Sequence, residues 1–133
     1  MATTIETGRD IALTIAAVNY DEQISSGIVT FQDATASVET LNGTVDYTVD
    51  NEKGTLDLVL FQDWGKTGSP ASVCDALWDA ADTAPTTTIA ATVTINGKVI
   101  TLTVLPKRPA FGGAAPDALT TTVSLPIRSI SKA

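Results

Sequence analysis

The stretch TTTIAATVTINGKVITLTVL, residues 86–105, decides the fold. Apolar and polar residues alternate on both sides of Asn96-Gly97, the dipeptide most typical of a two-residue β-hairpin turn. A turn of that length fixes the register of the two strands, 86–95 and 98–105. The predicted cross-strand pairs are Val93 with Ile100, Ala91 with Leu102 and Ile89 with Val104. The opposite face is rich in threonine and almost uncharged, and it comprises Thr88, Thr92, Thr94, Thr101 and Thr103 together with Val99 and Leu105.

A second hairpin is predicted from residues 44–50 and 55–61, joined by Asn51-Glu52-Lys53-Gly54. A four-residue loop that ends in glycine suits a type I turn with a left-handed last residue. The register that follows pairs Val49 with Leu56, Tyr47 with Leu58 and Val45 with Leu60. These residues form the predicted core face, with Leu58 as a core anchor. The opposite face is polar and acidic, and it presents Asp46, Thr48 and Asp57 together.

One helix is predicted over residues 70–81, with Ser69 as the N-cap and Pro70 in the first turn. Its apolar stripe supplies Leu77 and Trp78 as further core anchors. Short strands are predicted at 9–18, 28–32, 36–41 and 119–127. The fold class is therefore mainly β: a β-sandwich or partly open antiparallel barrel with one flanking helix. The predicted organisation is an arm at 1–8, a single domain at 9–128 and a tail at 129–133.

The composition argues against catalysis. The 133 residues include no histidine, which excludes Ser-His and Cys-His catalysis and imidazole metal ligands. The single cysteine, Cys74, forms neither an internal disulfide nor a zinc site. Gly65-Lys66-Thr67 lacks the earlier glycine that a phosphate loop needs, because Leu60 stands in its place. We expect no enzyme, no cofactor and no metal.

Charge is sparse and unevenly distributed. Charged residues make up 17% of the chain, against about 25% in a typical soluble domain. The net charge is −7: residues 1–52 carry −8 and residues 53–133 carry +1. Two interpretations remain, a monomer coated with threonine and serine, and a subunit whose surface is buried against other copies. The chain has neither an export signal nor a run of about 20 apolar residues, so we expect a protein that does not enter membranes and that stays in the cytoplasm or leaves it by lysis.

The predicted arm and two loops have the composition of segments that become ordered on contact. The loops are the acidic residues 19–27 and the proline- and glycine-rich residues 106–116. They supply the candidate inter-subunit contacts Tyr20, Asp21, Glu22, Arg108 and Phe111.

The order of these features resembles a family. Strands, an acidic-faced hairpin, a tryptophan-bearing helix, a second hairpin, a proline/glycine loop and a last strand follow one another between Val29 and Ile127. The most suggestive segments are VTF at 29–31, LVLFQDW at 58–64, LW at 77–78 and PAFGGA at 109–114. This chain is similar to the major tail tube proteins of long non-contractile-tailed bacteriophages, notably those of actinobacteria.

The resemblance implies a structural protein of the virion tail, assembled in the cytoplasm of the bacterial host. Six copies would form a ring, rings would stack into a tube, and neighbouring sheets would join into an inner barrel. Its partners would be itself, other tail proteins such as the tape measure and the terminator, and double-stranded DNA in transit. An acidic bore suits that transit because a like-charged wall repels DNA, and Asp46, Thr48 and Asp57 are the candidate lumen residues.

Two alternatives stay open. A capsid decoration protein or a fibre subunit would share the composition without needing an anionic bore. A small carbohydrate- or ligand-binding β-sandwich would need a concave aromatic patch, and the tyrosines and tryptophans are scattered along the chain.

Overall fold

Nine strands and one helix are found in the computed structural model, which describes residues 3, 5–32, 35–48 and 54–132. The helix, α1, spans Val73–Thr83 and lies between β6 and β7 in the chain. The strands are β1 (Ile11–Ile15), β2 (Val18–Asn19), β3 (Ile24–Phe31), β4 (Thr35–Thr40), β5 (Gly43–Thr48), β6 (Gly54–Phe61), β7 (Ile89–Ile95), β8 (Lys98–Val104) and β9 (Thr120–Lys132).

Seven of these strands form one antiparallel sheet that curls into a half-barrel, in the order β2-β1-β7-β8-β9-β6-β3. This confirms the predicted mainly β fold, the partly open barrel and the single helix. The 13-residue β9 joins the β2-β1-β7-β8 part of the sheet to the β6-β3 part, because residues 120–126 pair with β6 and residues 127–132 pair with β8. Residues 129–132, predicted to be a tail, are therefore part of the sheet.

The core lies on the inner face of the half-barrel. Alternate residues of β6, β8 and β9 point into it, and α1 covers it with Val73, Cys74 and Leu77. Leu58 and Leu77 are both 1% exposed, so both are confirmed as core anchors. Fully burying a leucine side chain contributes about 1.5–3 kcal/mol relative to leaving it exposed.

The β7–β8 hairpin has the predicted register. Val93 pairs with Ile100, Ala91 with Leu102 and Ile89 with Val104. Asn96 and Gly97 have φ values of 48° and 79°, as a type I′ turn requires at both central positions. The short turn leaves no other register available, which is why the sequence was sufficient here.

The hairpin predicted from residues 44–61 is wrong. β5 pairs with β4, whereas β6 pairs with β3 and β9. Val45 and Tyr47 are consequently about half exposed instead of buried. The predicted turn residues Asn51, Glu52 and Lys53, and Val49, lie outside the described residues. Gly54 begins β6 at φ 133°, and an added Cβ would lie 1.9 Å from the Thr30 carbonyl oxygen, so the close approach of β3 requires glycine there.

The helix begins three residues later than predicted. Ser72, not Ser69, is the N-cap, and its hydroxyl accepts from the Asp75 amide at 3.3 Å. The Gln23 side chain accepts from the Val73 amide at 2.8 Å, which satisfies a second free donor of the first turn. Trp78 is 37% exposed, so its assignment as a core anchor is wrong.

The amino-terminal region is more regular than predicted. The expected strand at 9–18 is split by Ala16 and Ala17, whose φ values are 53° and 65°, into β1 and β2. The expected loop at 19–27 contains a 3₁₀ turn at Asp21–Gln23, and β3 already starts at Ile24.

Candidate functional site

A two-stranded ribbon, β4–β5, stands apart from the main sheet. Cross-strand pairing places Ala36 beside Tyr47 and Val38 beside Val45 on one face, which we call the ribbon face. Val38, Val45 and Tyr47 are each about half exposed, and Leu41 at the tip is fully exposed. An apolar strip of this kind is unusual on the surface of a monomer and marks a region that associates.

The opposite face of the ribbon is polar and acidic. The Asp46 carboxylate accepts from the Ser37 hydroxyl at 2.5 Å, and the Glu39 carboxylate accepts from the Thr44 hydroxyl at 2.6 Å. Thr48 pairs with Thr35 on this same face. The described ribbon, residues 35–48, contains no basic residue, so its charge is uniformly negative.

Three aromatic side chains from distant parts of the chain meet on the surface beside α1. The ring centroid of Trp64 lies 6.1 Å from that of Trp78, edge to face, and 5.1 Å from that of Phe111. Phe111 is 74% exposed. We call this group the aromatic patch. It corrects the expectation that the tryptophans are scattered: they are scattered in sequence only.

The Gln62 side chain clamps the 106–116 loop beneath this patch. Its Nε2 donates to the carbonyls of Gly112 and Thr120, at 2.6 and 2.9 Å. Its Oε1 accepts from the Gly112 amide and from Trp64 Nε1, both at 3.0 Å. No sequence pattern indicates that Gln62 holds this loop, because glutamine is common on surfaces and its partner Gly112 lies 50 positions away.

Arg108 ties the same loop to the helix. Its guanidinium forms an ion pair with Asp82 at 2.5 Å and lies over the Trp78 ring, 4.9 Å from the centroid. Pro106 and Pro109 on either side are fully buried. Contacts within one chain therefore hold this loop, and its further ordering by contact with another subunit stays a prediction.

Asp57 lies on the outer face of the half-barrel. Its carboxylate accepts from the hydroxyls of Ser124 at 2.7 Å and of Thr55 and Thr30 at 3.1 Å each. These hydrogen bonds, that of Ser124 above all, lower the pKa of Asp57 below its ordinary value, and partial burial opposes them. Asp46 is on the separate ribbon, so the prediction that Asp46 and Asp57 share one hairpin face is wrong.

The outer face continues across β9 as a surface rich in hydroxyl groups. Thr14 bonds to Thr92, which pairs with Thr101, and Thr101 pairs with Ser131, giving a row across four strands. Thr103 and Ser129 add a hydrogen bond of 2.7 Å in the neighbouring row. The predicted threonine face of the β7–β8 hairpin is thus extended by β1 and β9.

The candidate inter-subunit contact residues differ in how far the structure exposes them. Tyr20 is 7% exposed and belongs to the core, and burial raises the pKa of its phenol. A buried side chain does not contact another subunit, so its proposed role is wrong. Asp21 is exposed, but its carboxylate accepts from the Leu13 amide at 2.9 Å and thereby caps the edge of β1. Glu22, Arg108 and Phe111 are exposed.

No protein-family model matches the chain, and no curated protein matches it. Within the described residues, no helix has the length and apolar character needed to span a membrane.

Proposed function

We propose that this chain is a structural subunit of a phage tail tube, whose copies form rings that stack into a conduit for double-stranded DNA. The observation that carries the proposal is the ribbon face, which the described part of the chain leaves uncovered. Apolar surface that folding leaves exposed is available to stabilise association. The proposal involves no catalytic step and no cofactor.

The edge of the main sheet supports the same proposal. β3 pairs with β6 on one side, and within the described residues no strand pairs with its other side. A cleft of about 950 Å³ separates this edge from β1, with Ile24 and Ile28 on one side and Ile11 and Leu13 on the other. Unpaired strand edges are sites of strand addition, and closure of a ring would remove them. The β1 edge is different, because Asp21 and β2 already occupy it.

The outer face supports a role as the wall of the bore. It is a surface of hydroxyl groups in which Asp57 supplies the negative charge. Hydroxyl groups and a carboxylate attract DNA phosphates weakly, so DNA would pass with little of the counterion release that drives binding.

Negative-stain electron microscopy of the purified protein at rising concentration tests assembly directly. We expect rings or tubes about 100 Å wide, several times the diameter of one compact domain of this length. A chain that remains monomeric by light scattering at millimolar concentration would overturn the proposal.

A second candidate, binding of a carbohydrate, is favoured by the aromatic patch alone. Exposed rings next to a paired arginine and aspartate suit a sugar with one apolar face. Isothermal titration with soluble oligosaccharides separates the two candidates, because tube formation requires no ligand.

A further inference from the structure

The cleft between β1 and β3 is bounded on one side by a strand edge with unused main-chain hydrogen-bonding groups. β3 pairs with β6 from Ile24 to Phe31, and within the described residues no strand pairs with its other edge. Roughly half of the N–H and C=O groups of a strand point to each of its sides. An occupant that satisfies them must present N–H and C=O groups at strand spacing, which is the chemistry of an extended polypeptide and not of a small apolar molecule.

β3 also lacks the features that usually protect an edge strand. Its eight residues, ISSGIVTF, include no charged residue and no proline, and its pairing is interrupted only by a bulge between Ile24 and Ser26. At the opposite margin of the sheet, β2 has two residues, and the Asp21 carboxylate accepts from the Leu13 amide. Of the two margins of the main sheet, β3 is therefore the one open to strand addition.

The walls of the cleft suit a strand that carries an apolar side chain. Ile28 lines the β3 wall and is 58% exposed, and Ile11 lines the β1 wall. Between the walls, an added Cβ on Gly27 would lie 2.7 Å from Leu13 Cδ1. The glycine thus allows the Leu13 side chain to reach across to β3, which gives the cleft an apolar floor.

The chain contains a segment of matching character, the arm that precedes β1. Residues 3–7 are Thr-Thr-Ile-Glu-Thr, β-branched at four of five positions, and five residues is a common length for a strand. Residues 3 and 5–7 nevertheless form neither a helix nor a strand in the structure. Ile5 is 80% exposed, so folding of one chain leaves this apolar side chain in solvent.

The described part of the arm does not enter the cleft of its own chain. Thr7 and Gly8 line the cleft, but Ile5 does not. A capping box holds this end of the arm, because the Thr7 amide donates to the Asp10 carboxylate at 2.7 Å and the Thr7 hydroxyl accepts from the Arg9 amide at 3.3 Å. The arm therefore leads from the cleft wall into solvent. A strand-forming segment and an open strand edge that are not joined within one chain are available for exchange between chains.

From these observations we infer that the arm of one copy adds as a strand to β3 in the cleft of a second copy. The inference rests on the proposed function and names the segments that join neighbouring subunits. Because the arm and the cleft are different surfaces, the contact is head-to-tail, and it generates a ring or a stack instead of a closed two-fold dimer.

Charge contributes little to this contact. The cleft is lined by Arg9 and by the acids Asp21 and Glu22, and Glu6 is the only charged side chain among residues 1–8. Main-chain hydrogen bonds and the burial of Ile5 therefore supply the affinity, and we expect association to be nearly independent of salt.

Disulfide trapping between two single-cysteine variants tests the exchange. Thr3→Cys places a thiol on the arm and keeps Ile5, and Ser26→Cys places one on the cleft wall in β3. The matched control is Ser37→Cys, the same substitution on the ribbon and outside the cleft. Native Cys74 is buried and does not interfere. One variant is isotopically labelled, so that mass spectrometry distinguishes mixed from homotypic dimers.

We expect the Thr3→Cys and Ser26→Cys mixture to give at least about fivefold more mixed dimer than the Thr3→Cys and Ser37→Cys mixture, because docking raises the local thiol concentration. Equal yields would overturn the inference, both if the arm turns back into its own cleft and if a strand of another protein covers β3. If the wild type forms tubes in the same buffer, that result leaves the proposed function intact; a wild type that stays monomeric at millimolar concentration overturns both.

Hydrogen–deuterium exchange of residues 24–31 tests the same contact without introduced thiols. In the wild type, we expect the β3 amides to exchange about tenfold more slowly in concentrated than in dilute solution. Ile5→Ser should remove most of this difference, because the loss of one buried isoleucine weakens association by about tenfold or more. Ile95→Ser, which alters an exposed isoleucine outside the arm and the cleft, should preserve it. Equal effects of the two variants, or wild-type protection that does not change with concentration, would contradict the exchange.

Discussion

Two alanines hold backbone conformations that alanine adopts with difficulty. Ala16 and Ala17 both have positive φ in the turn between β1 and β2, where a type I′ turn favours asparagine and glycine. A left-handed residue with a Cβ costs about 1–2 kcal/mol relative to the right-handed region. The β1–β2 turn is therefore maintained by its neighbours and not by its own sequence, which is why the sequence predicted one continuous strand there.

Replacing Ala17 with glycine should stabilise the protein. We expect the free energy of unfolding to rise by about 0.5–1 kcal/mol, because relief of the left-handed strain exceeds the entropy that glycine adds to the unfolded chain. Urea denaturation measures the change. Ala90→Gly in the regular part of β7 is the control and should destabilise; a loss of stability with Ala17→Gly would show that the turn is unstrained.

Cys74 should be chemically silent in the folded protein. Burial above all, together with the nearby carboxylates of Asp75 and Asp63, raises the pKa of its thiol to about 11. The thiolate is the reactive form, so at about pH 8 only a trace of it is present. We expect no alkylation by iodoacetamide without denaturant, full alkylation in urea, and rapid alkylation of an exposed Ala110→Cys thiol. Alkylation of native Cys74 at the rate of that control would contradict its burial.

At the scale of elements, the two hairpin predictions differ in how far the loop restricts the chain. Asn96-Gly97 closes two strands with two residues, so alternation on either side permits a single register. The longer connection at 51–54 leaves β6 free to pair elsewhere, and β3 and β9 compete for it successfully. The alternation of β6 was nevertheless informative: Leu56, Leu58 and Leu60 are buried as predicted, because the inner face does not depend on which strand lies alongside.

The 106–116 loop depends on one side chain for its position. Gln62→Ala removes four hydrogen bonds, each worth about 0.5–1.5 kcal/mol net when well formed and less where exposed. We expect a loss of about 2 kcal/mol in stability, faster amide exchange at Gly112 and a shift in tryptophan fluorescence as Phe111 leaves Trp64. Gln62→Glu keeps both acceptor contacts but turns a carboxylate oxygen toward the carbonyls of Gly112 and Thr120, so it should not preserve the loop either. Unaltered exchange at Gly112 in Gln62→Ala would mean that the buried prolines alone fix the loop.

At the scale of the whole molecule, the proposed function predicts that the outer face of the half-barrel lines the bore of a tube. Asp57→Lys reverses its charge, and the resulting tube should retain DNA in a salt-dependent manner, because each phosphate contact releases a counterion. Asp46→Lys makes the same change on the ribbon and should leave DNA retention unaltered. Retention is measured on assembled tubes at low and high salt, after thermal denaturation confirms that both variants fold. Retention by Asp46→Lys but not Asp57→Lys would place the ribbon, and not the sheet, at the bore.

β9 joins the sheet last, because it is synthesised after both of the strands that it lies between. β6 and β8 are synthesised well before it, yet each borders β9 in the finished sheet. Until residues 120–132 emerge, the β2-β1-β7-β8 and β6-β3 parts of the sheet are separate, and β8 and β6 each have an unpaired edge. A chain at this stage cannot present the continuous outer face. If copies associate as proposed, they would therefore do so only after their own β9 has been synthesised.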